Sequence, residues 1–219
     1  MQSIFKQGKQ LENLLEEGGT VFQLNCFSRT KPVFTALRQY IKRPNYAKFE
    51  RWTKSSEDLF AHLANDLDMA LACFQSRVKD VICHTSNVFD AEQIDLLSLK
   101  VLFHNGASAD ILIHGNSAEN RCEALFTGLN GYYKVDFAKQ EIVQVELAGS
   151  NQLSLMEGGS DSRSSLVHKE KRILSFDYLQ KAMRNFEENI NFGFTPLVNV
   201  ADLKRVAEVL QKTEYIMQR

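Results

Sequence analysis

Apolar residues recur every three or four positions over residues 55–74, which is the spacing of one face of an α-helix. This face consists of Leu59, Leu63, Leu67, Ala70, Leu71 and Phe74. The same spacing predicts further helices over residues 3–17, 33–42, 176–192 and 200–217. The helix over residues 176–192 carries an apolar face that consists of Phe176, Leu179, Met183, Phe186 and Ile190.

Between residues 77 and 147 the pattern changes to the two-residue alternation of β-strands. It predicts strands over residues 78–87, 95–103, 107–114, 122–129, 132–137 and 141–147. Asn105-Gly106 and Asn130-Gly131 lie between strands, and Asn-Gly is a preferred sequence of tight hairpin turns. The sequence also predicts a strand over residues 46–53, a candidate strand over residues 20–27 and a mobile Gly/Ser-rich loop over residues 150–163.

A run of strands followed by helices is typical of the α+β class. We therefore expect a large, mostly antiparallel sheet that is covered by helices on one face. The strands over residues 95–103 and 108–114 carry apolar residues on more than one side. An open apolar sheet face of this size is typical of an interaction surface, so the sequence predicts a homodimer that forms through it.

The charge of the chain is balanced, with 26 basic and 27 acidic residues and a net charge of -1. This balance gives no electrostatic reason to expect nucleic acid or an anionic membrane as a partner. No apolar run is long enough to span a bilayer and the N-terminus lacks the apolar core of a signal peptide, so we expect a cytoplasmic protein. The cysteines form no Cys-x-x-Cys pair, so we expect reduced core thiols and no metal site.

The polar side of the helix over residues 55–74 carries the densest group of side chains that could do chemistry. Asp58, His62 and Asn65 follow one another at intervals of four and three residues, so they project from one side of the helix. His62 is a candidate general acid or base, although a partly exposed helix histidine would show the same spacing. Arg29 follows a predicted strand, where it could bind an anionic or sugar ligand or form a structural ion pair.

Several segments, taken in order, resemble one family. K-Q-L-E-N-L-L-E-E-G-G-T-V-F-Q-L-N-C-F-S-R-T-K-P-V-F-T-A-L-R is similar to the family's helix, strand, polar turn and proline-started helix. V-L-F-H-N-G-A-S-A-D-I-L-I is similar to its hairpin, and A-D-L-K-R-V-A-E-V-L-Q-K-T to its final helix. By these segments the chain resembles the substrate-binding half of the Gfo/Idh/MocA oxidoreductases. Within that family its general sequence pattern is most similar to the MviM-like branch.

The resemblance implies a single C-terminal, substrate-binding and oligomerisation domain over residues 1–219. Residues 1–30 would be the remnant of a junction with a nucleotide-binding domain. The sequence has neither the Gly-x-Gly-x-x-Gly motif nor the Glu-Lys-Pro motif of the family's dinucleotide half. We therefore expect no cofactor in this chain, and NAD or NADP only in a longer parent protein.

The family's catalytic helix carries Asp-x-x-x-His-x-x-Asp, and residues 55–74 can match it in two registers. One register places Asp58 and His62 on the first two positions and Asn65 on the last. The other keeps the spacing to the next strand and is the one we prefer. It places Asp68 on the last position and Asn65 on that of the histidine. Asparagine cannot transfer a proton at neutral pH, but it can bind a sugar hydroxyl.

The resemblance thus implies the substrate-binding part of an NAD(P)-dependent sugar or polyol oxidoreductase, inactive by itself. Arg29, Asn65 and Asp68 would bind the substrate, and His62 would be the catalytic residue if one remains. The alternative is a stand-alone, non-catalytic binding or scaffold protein that has kept the sheet for dimerisation. A nucleotide-binding half encoded upstream in the same gene would favour the first hypothesis.

Overall fold

The computed structural model describes residues 10, 13–15, 17–19, 21–23, 27–55, 59–89, 93–129, 131–147, 166–173, 178–194, 196 and 198–218. The helices are α1, Phe27–Thr30; α2, Pro32–Tyr40; α3, Leu59–Cys73; α4, Tyr178–Phe192; and α5, Val200–Met217. The strands are β1, Tyr46–Trp52; β2, Val78–Ser86; β3, Leu96–Phe103; β4, Ser108–His114; β5, Arg121–Gly128; β6, Gly131–Asp136; β7, Glu141–Leu147; and β8, Leu166–Arg172. Residues 13–15 and 17–18 are helical as well.

The eight strands of the described chain form one sheet in the order β2-β3-β4-β1-β5-β6-β7-β8. β1 pairs in parallel with β4 and antiparallel with β5, so the first strand lies in the middle of the sheet. The other neighbouring strands pair antiparallel. The predicted α+β class with a large, mostly antiparallel sheet is confirmed.

One of the hairpin turns depends on a glycine. Gly131 begins β6 with φ of +129°, and a Cβ atom there would lie 2.2 Å from the carbonyl oxygen of Val145 on β7. Neither the backbone angle nor the space would allow a side chain at this position. The close approach of β6 and β7 therefore requires glycine.

The core lies between the sheet and the helices. Alternate side chains of the central strands face it, among them Phe49, Leu97, Leu99, Ile111 and Phe126. They pack with α2 and α3 through Phe34, Leu37, Leu63, Leu67 and Leu71. The intervening side chains of β1, β3, β4 and β5 point to the opposite face, where in the described part of the chain no helix covers them.

The strand predicted over residues 20–27 is absent from the residues of this stretch that the structure describes. Residues 21–23 have no regular structure and Phe27 begins α1. Gln23 instead uses its side-chain amide, which donates to the carbonyl oxygen of Ala182 at 3.3 Å and accepts from Asn189 at 3.1 Å, both on α4. The segment is thus tied to a helix by polar contacts rather than paired with the sheet.

The helix predicted over residues 176–192 is present as α4. Its exposed apolar side chains include three of the predicted apolar face, Leu179, Met183 and Ile190, and also Phe192. Ala182 and Asn189 are buried on the other side, where α4 meets Gln23. The small side chain of Ala182 allows Gln23 to approach the helix backbone, and Asn189 supplies a hydrogen bond to Gln23. The side of α4 that carries these two residues is therefore the buried one.

The edge of the sheet beyond β7 differs from the prediction as well. β8 is a strand that the alternation did not predict, because its sequence L-V-H-K-E-K-R is mostly charged. Charged side chains are common on edge strands, where they discourage pairing with another chain. The loop predicted over residues 150–163 lies outside the described residues.

Candidate functional site

Two buried carboxylates fix the position of α3, and the first belongs to Asp68. The Nε and Nη2 atoms of Arg29 donate to its two carboxylate oxygens at 2.7 and 2.5 Å. The Nη1 atom of Arg29 donates to Asp202, in the first turn of α5, at 3.1 Å. Burial by itself would lower the pKa of Arg29, but the hydrogen bonds and charges of these carboxylates raise it, so the guanidinium stays charged.

The second carboxylate is that of Asp66, which is fully buried. Arg51 on β1 donates to both of its oxygens, with an Nε to Oδ2 distance of 2.8 Å. Burial opposes the charge of Arg51 here too, but Asp66 raises its pKa above the ordinary value. One arginine comes from α1 and the other from the sheet. The two pairs therefore fix the rotation of α3 about its axis and its position relative to the sheet.

A cavity of about 260 Å³, here called the His62 cavity, opens where β1 ends and α3 begins. It is lined by Lys31, Arg51, Trp52, Thr53, His62, Asn120, Arg121, Cys122, Phe137 and Ala138. These residues come from β1, β5, the first turn of α3, the turn after β6 and the residue before α2. The cavity therefore forms only when the sheet and both helices are assembled.

Trp52 forms one wall of this cavity as the middle of a three-membered stack. The guanidinium carbon of Arg121 lies 3.7 Å from the Trp52 ring centroid. The His114 ring is parallel to the indole, with 5.1 Å between centroids and 7° between planes. The three side chains occupy directly neighbouring positions of β4, β1 and β5, so the stack orders the indole on the uncovered face of the sheet.

The thiol of Cys122 also borders the His62 cavity. Burial raises the pKa of Cys122 to about 12, and the nearby charge of Asp66 raises it further. The thiol is therefore protonated at neutral pH and does not act as a thiolate nucleophile. Of the side chains that border the cavity, the imidazole of His62 is the group suited to proton transfer near neutral pH.

The residues singled out from the sequence occupy different places in the structure. His62 lines the cavity, whereas Arg29 and Asp68 are joined to each other behind α3 and do not line it. Asn65 is half-buried one turn further along α3 and also lies outside the lining. Asp58 lies outside the described residues.

Lys31, Asn120 and Arg121 were not singled out from the sequence, although they line the cavity. Their shared location depends on strand register, because Arg121 lies directly opposite Trp52 in the β1–β5 pair. For Lys31 the sequence did hold a signal in Pro32. Proline favours the first position of a helix, so it marks the start of α2 and places Lys31 directly before that start.

By sequence, neither a protein-family model nor a curated protein matches the chain. Its structure, in contrast, is similar to solved structures over nearly the whole length. UDP-N-acetylglucosamine 3-dehydrogenase GnnA from Acidithiobacillus ferrooxidans matches 98% of this chain with a TM-score of 0.83 and 18% identity. The chain has the fold of these oxidoreductases. The resemblance to Gfo/Idh/MocA proteins is therefore confirmed at the level of the fold.

Two further structures show the same relationship. Aldose-aldose oxidoreductase from Caulobacter crescentus, complexed with glycerol, matches 98% of this chain with a TM-score of 0.71 and 13% identity. The dehydrogenase MviM from Clostridium difficile matches 96% with a TM-score of 0.74 and 13% identity. This chain spans 69%, 67% and 67% of the three proteins, so about a third of each has no counterpart in it.

The described residues do not form the arrangement that binds a dinucleotide. Such cofactors bind where a parallel strand leads through Gly-x-Gly-x-x-Gly into a helix. The sequence contains no such motif, and within the described residues the parallel pair of strands is β1 with β4. No step of a reaction is therefore assigned to NAD or NADP bound by this chain.

Among the described residues, none of the helices has the length and apolar composition of a membrane span. Nor does the described part of the chain bring three His, Cys, Asp or Glu side chains together as a metal site.

Proposed function

We propose that the chain is the substrate-binding and oligomerisation domain of an NAD(P)-dependent sugar or polyol oxidoreductase. A separate nucleotide-binding domain, in a longer parent protein or in a partner protein, would supply the NAD(P) site. The match to 98% of this chain and 69% of the GnnA chain, at a TM-score of 0.83, carries this proposal. The similar proteins include a UDP-N-acetylglucosamine 3-dehydrogenase and an aldose-aldose oxidoreductase complexed with glycerol, which supports a polyol-like ligand. Such a domain acts in the cytoplasm and is inactive alone.

The ligand site that we propose is the His62 cavity. A volume of about 260 Å³ suits one monosaccharide, and Thr53, Asn120 and His62 offer hydrogen-bonding groups for its hydroxyls. The imidazole of His62 can hold or accept the proton of a substrate hydroxyl. Arg29 and Asp68 are occupied with each other, so their contribution is to position α3, and with it Asn65 and His62.

The second part of the proposal is a homodimer through the uncovered face of the sheet. Eight strands about 4.8 Å apart and about 23 Å long cover roughly 800–900 Å², close to the ~800 Å² that each partner contributes to a stable interface. In place of the apolar face expected from the sequence, charges of both signs alternate on it, in pairs such as Lys48–Glu50, Lys100–Asp110 and Lys134–Glu123. A surface with balanced charges can pair with a copy of itself about a two-fold axis.

A stand-alone binding or scaffold protein is the second candidate. The absence of a dinucleotide motif from the sequence favours it. A nucleotide-binding half in the same gene, or as a partner that co-purifies with the chain, would exclude it.

The ligand site can be tested with the intrinsic fluorescence of Trp52, because the chain contains 1 tryptophan and it borders the cavity. Titration with glycerol, D-glucose, D-gluconate and D-glucose 6-phosphate is expected to give a saturable change with at least one of them. His62→Ala is expected to weaken that binding about 5- to 10-fold, the effect of one lost hydrogen bond.

The control for this test is His104→Ala, in the exposed turn between β3 and β4, which should bind as the wild type does. If none of the polyols gives a saturable change, or if both variants bind equally well, the cavity is not the ligand site.

A further inference from the structure

The two buried arginine–aspartate pairs of α3 differ in how many guanidinium nitrogens they occupy. Arg29 donates from all three, from Nε and Nη2 to Asp68 and from Nη1 to Asp202. Arg51 donates to Asp66 from Nε and Nη2. Within the described part of the chain, the Nη1 atom of Arg51 has no oxygen acceptor at hydrogen-bond distance. Arg51 therefore keeps N–H groups that no oxygen of these residues accepts.

Arg51 lies on the side of the sheet that the helices cover. It is directly opposite Cys122 in the β1–β5 pair, and the Cys122 thiol lies beside its guanidinium. Asp66 on α3 is fully buried and holds the edge of the guanidinium formed by Nε and Nη2. The Arg51 side chain nevertheless keeps 15% exposure and lines the His62 cavity. The accessible end of the guanidinium is therefore the Nη1 end, and it borders the cavity.

His62 belongs to the same side of α3 as the partner of Arg51. His62 and Asp66 are four residues apart on one helix, a spacing that places their Cβ atoms about 5–6 Å from each other. His62 lines the cavity as well, on the covered side of the sheet, whereas Trp52 and Arg121 stack on the uncovered side. Because Arg51 is bound to Asp66, a ligand in the cavity meets Arg51 and His62 as neighbouring groups.

The pair with Asp66 prepares Arg51 to bind a neutral group. Two hydrogen bonds fix the plane of the guanidinium, so a further bond from it costs little conformational entropy. The carboxylate of Asp66 also balances the charge of Arg51, so the pair offers a directed donor without net charge. An N–H group in a partly buried cavity requires an acceptor from water or from a ligand. A hydroxyl or carbonyl oxygen meets this requirement.

We propose that Arg51 is a specificity-determining residue of the His62 cavity and that its Nη1 atom donates to a hydroxyl or carbonyl oxygen of the ligand. Asp66 is the positioning residue that holds Arg51 in place. The ligand then carries this oxygen next to the hydroxyl that contacts His62, as in a vicinal diol or an α-hydroxycarbonyl compound. That the ligand is a sugar or polyol rests on the proposed function, whereas the donor can be tested with a simple carbonyl compound.

The test compares D-glucose with its monodeoxy derivatives by isothermal titration calorimetry on the complete chain. Arg51→Lys keeps a positive charge beside Asp66 but lacks the Nη1 end, so it should bind D-glucose about ten-fold more weakly, the effect of one hydrogen bond from a charged donor. In the wild type, the derivative that lacks the contacted hydroxyl should be weaker by a similar factor. In Arg51→Lys the same derivative should bind as tightly as D-glucose, because the contact is already lost.

Arg38→Lys is the matched control. Arg38 borders a different cavity, of about 410 Å³, at the far ends of α2 and α3, so this variant should bind D-glucose within about two-fold of the wild type. Circular dichroism shows whether each variant is folded. If Arg51→Lys does not fold, Arg51→Met/Asp66→Leu takes its place, because replacing a buried ion pair by apolar residues of similar volume is often neutral or stabilising.

Two results with D-glucose would overturn the proposal while the sugar site stands. One is an unchanged affinity of Arg51→Lys, and the other is an equal weakening of D-glucose and all its derivatives, which indicates a structural effect alone.

Acetamide, whose carbonyl oxygen accepts hydrogen bonds, separates this proposal from the proposed function. Its binding is followed by NMR through the backbone amides of Thr53 and Asn120, which border the cavity. If acetamide binds the wild type at least five-fold more tightly than Arg51→Lys and D-glucose does not bind, the donor stands and the sugar-binding function fails. If neither compound binds the wild type, the donor is refuted as well.

Discussion

Replacing Asp68 by alanine is expected to lower the free energy of unfolding by about 3 kcal/mol. The substitution leaves the charge of Arg29 buried without its principal partner, a change that costs about 3–5 kcal/mol in proteins. The lower end applies because Asp202 still accepts a hydrogen bond from the same guanidinium at 3.1 Å. Urea unfolding followed by far-ultraviolet circular dichroism measures this loss.

Lys139→Ala is the control for Asp68→Ala. Lys139 pairs with Asp136 at 3.4 Å with its side chain 69% exposed, so its removal should cost less than about 1 kcal/mol. The double variant Arg29→Met/Asp68→Ala should be more stable than Asp68→Ala, because it removes the uncompensated charge as well. Equal, small losses for Asp68→Ala and Lys139→Ala would contradict a positioning role for the buried pair.

The substitution Leu112→Glu is expected to convert the dimer to a monomer. Leu112 is half-buried on the uncovered face, and its neighbours across the strands are Ser98 and Glu50. In a two-fold interface the new carboxylate occurs twice, and burying it beside Glu50 costs several kcal/mol. Light scattering should therefore give about 50 kDa for the wild type and the chain mass of 25.0 kDa for the variant.

Leu179→Glu is the matched control for Leu112→Glu, since it makes the same substitution at an exposed leucine of α4, away from the sheet. This variant should remain dimeric. A wild type of 25.0 kDa would refute the dimer. Dissociation of Leu179→Glu in place of Leu112→Glu would move the interface to α4.

The sequence predicted those elements whose local pattern is tied to the core. β3 and β4 alternate strictly because one face packs on α3, and the leucines of α3 repeat because one stripe meets the sheet. The parallel pairing of β1 with β4 could not be predicted, because periodicity reports which face of a strand is buried but not which strand lies beside it. The buried contact of α4 could not be predicted either, because it is a polar contact between Asn189 and Gln23, which are distant in sequence.

The residues of the candidate site also differ in whether the sequence could predict them. His62 was found because spacing along one helix places it on the polar side. Lys31 and Arg121 come from separate elements that no sequence spacing relates: both border the cavity, and Arg121 is stacked on Trp52 on the uncovered side of the sheet. The ion pair of Arg29 with Asp68 was one of the alternatives for Arg29, but the sequence did not reveal its partner, which lies 39 positions away.

The central claim is that this chain holds a substrate site but no nucleotide site, and NADPH binding to the isolated chain tests it most directly. We predict that a titration followed by NADPH fluorescence shows no saturable binding to the chain. Saturable binding of NADPH in the low micromolar range would show a dinucleotide site within the chain and would contradict the account.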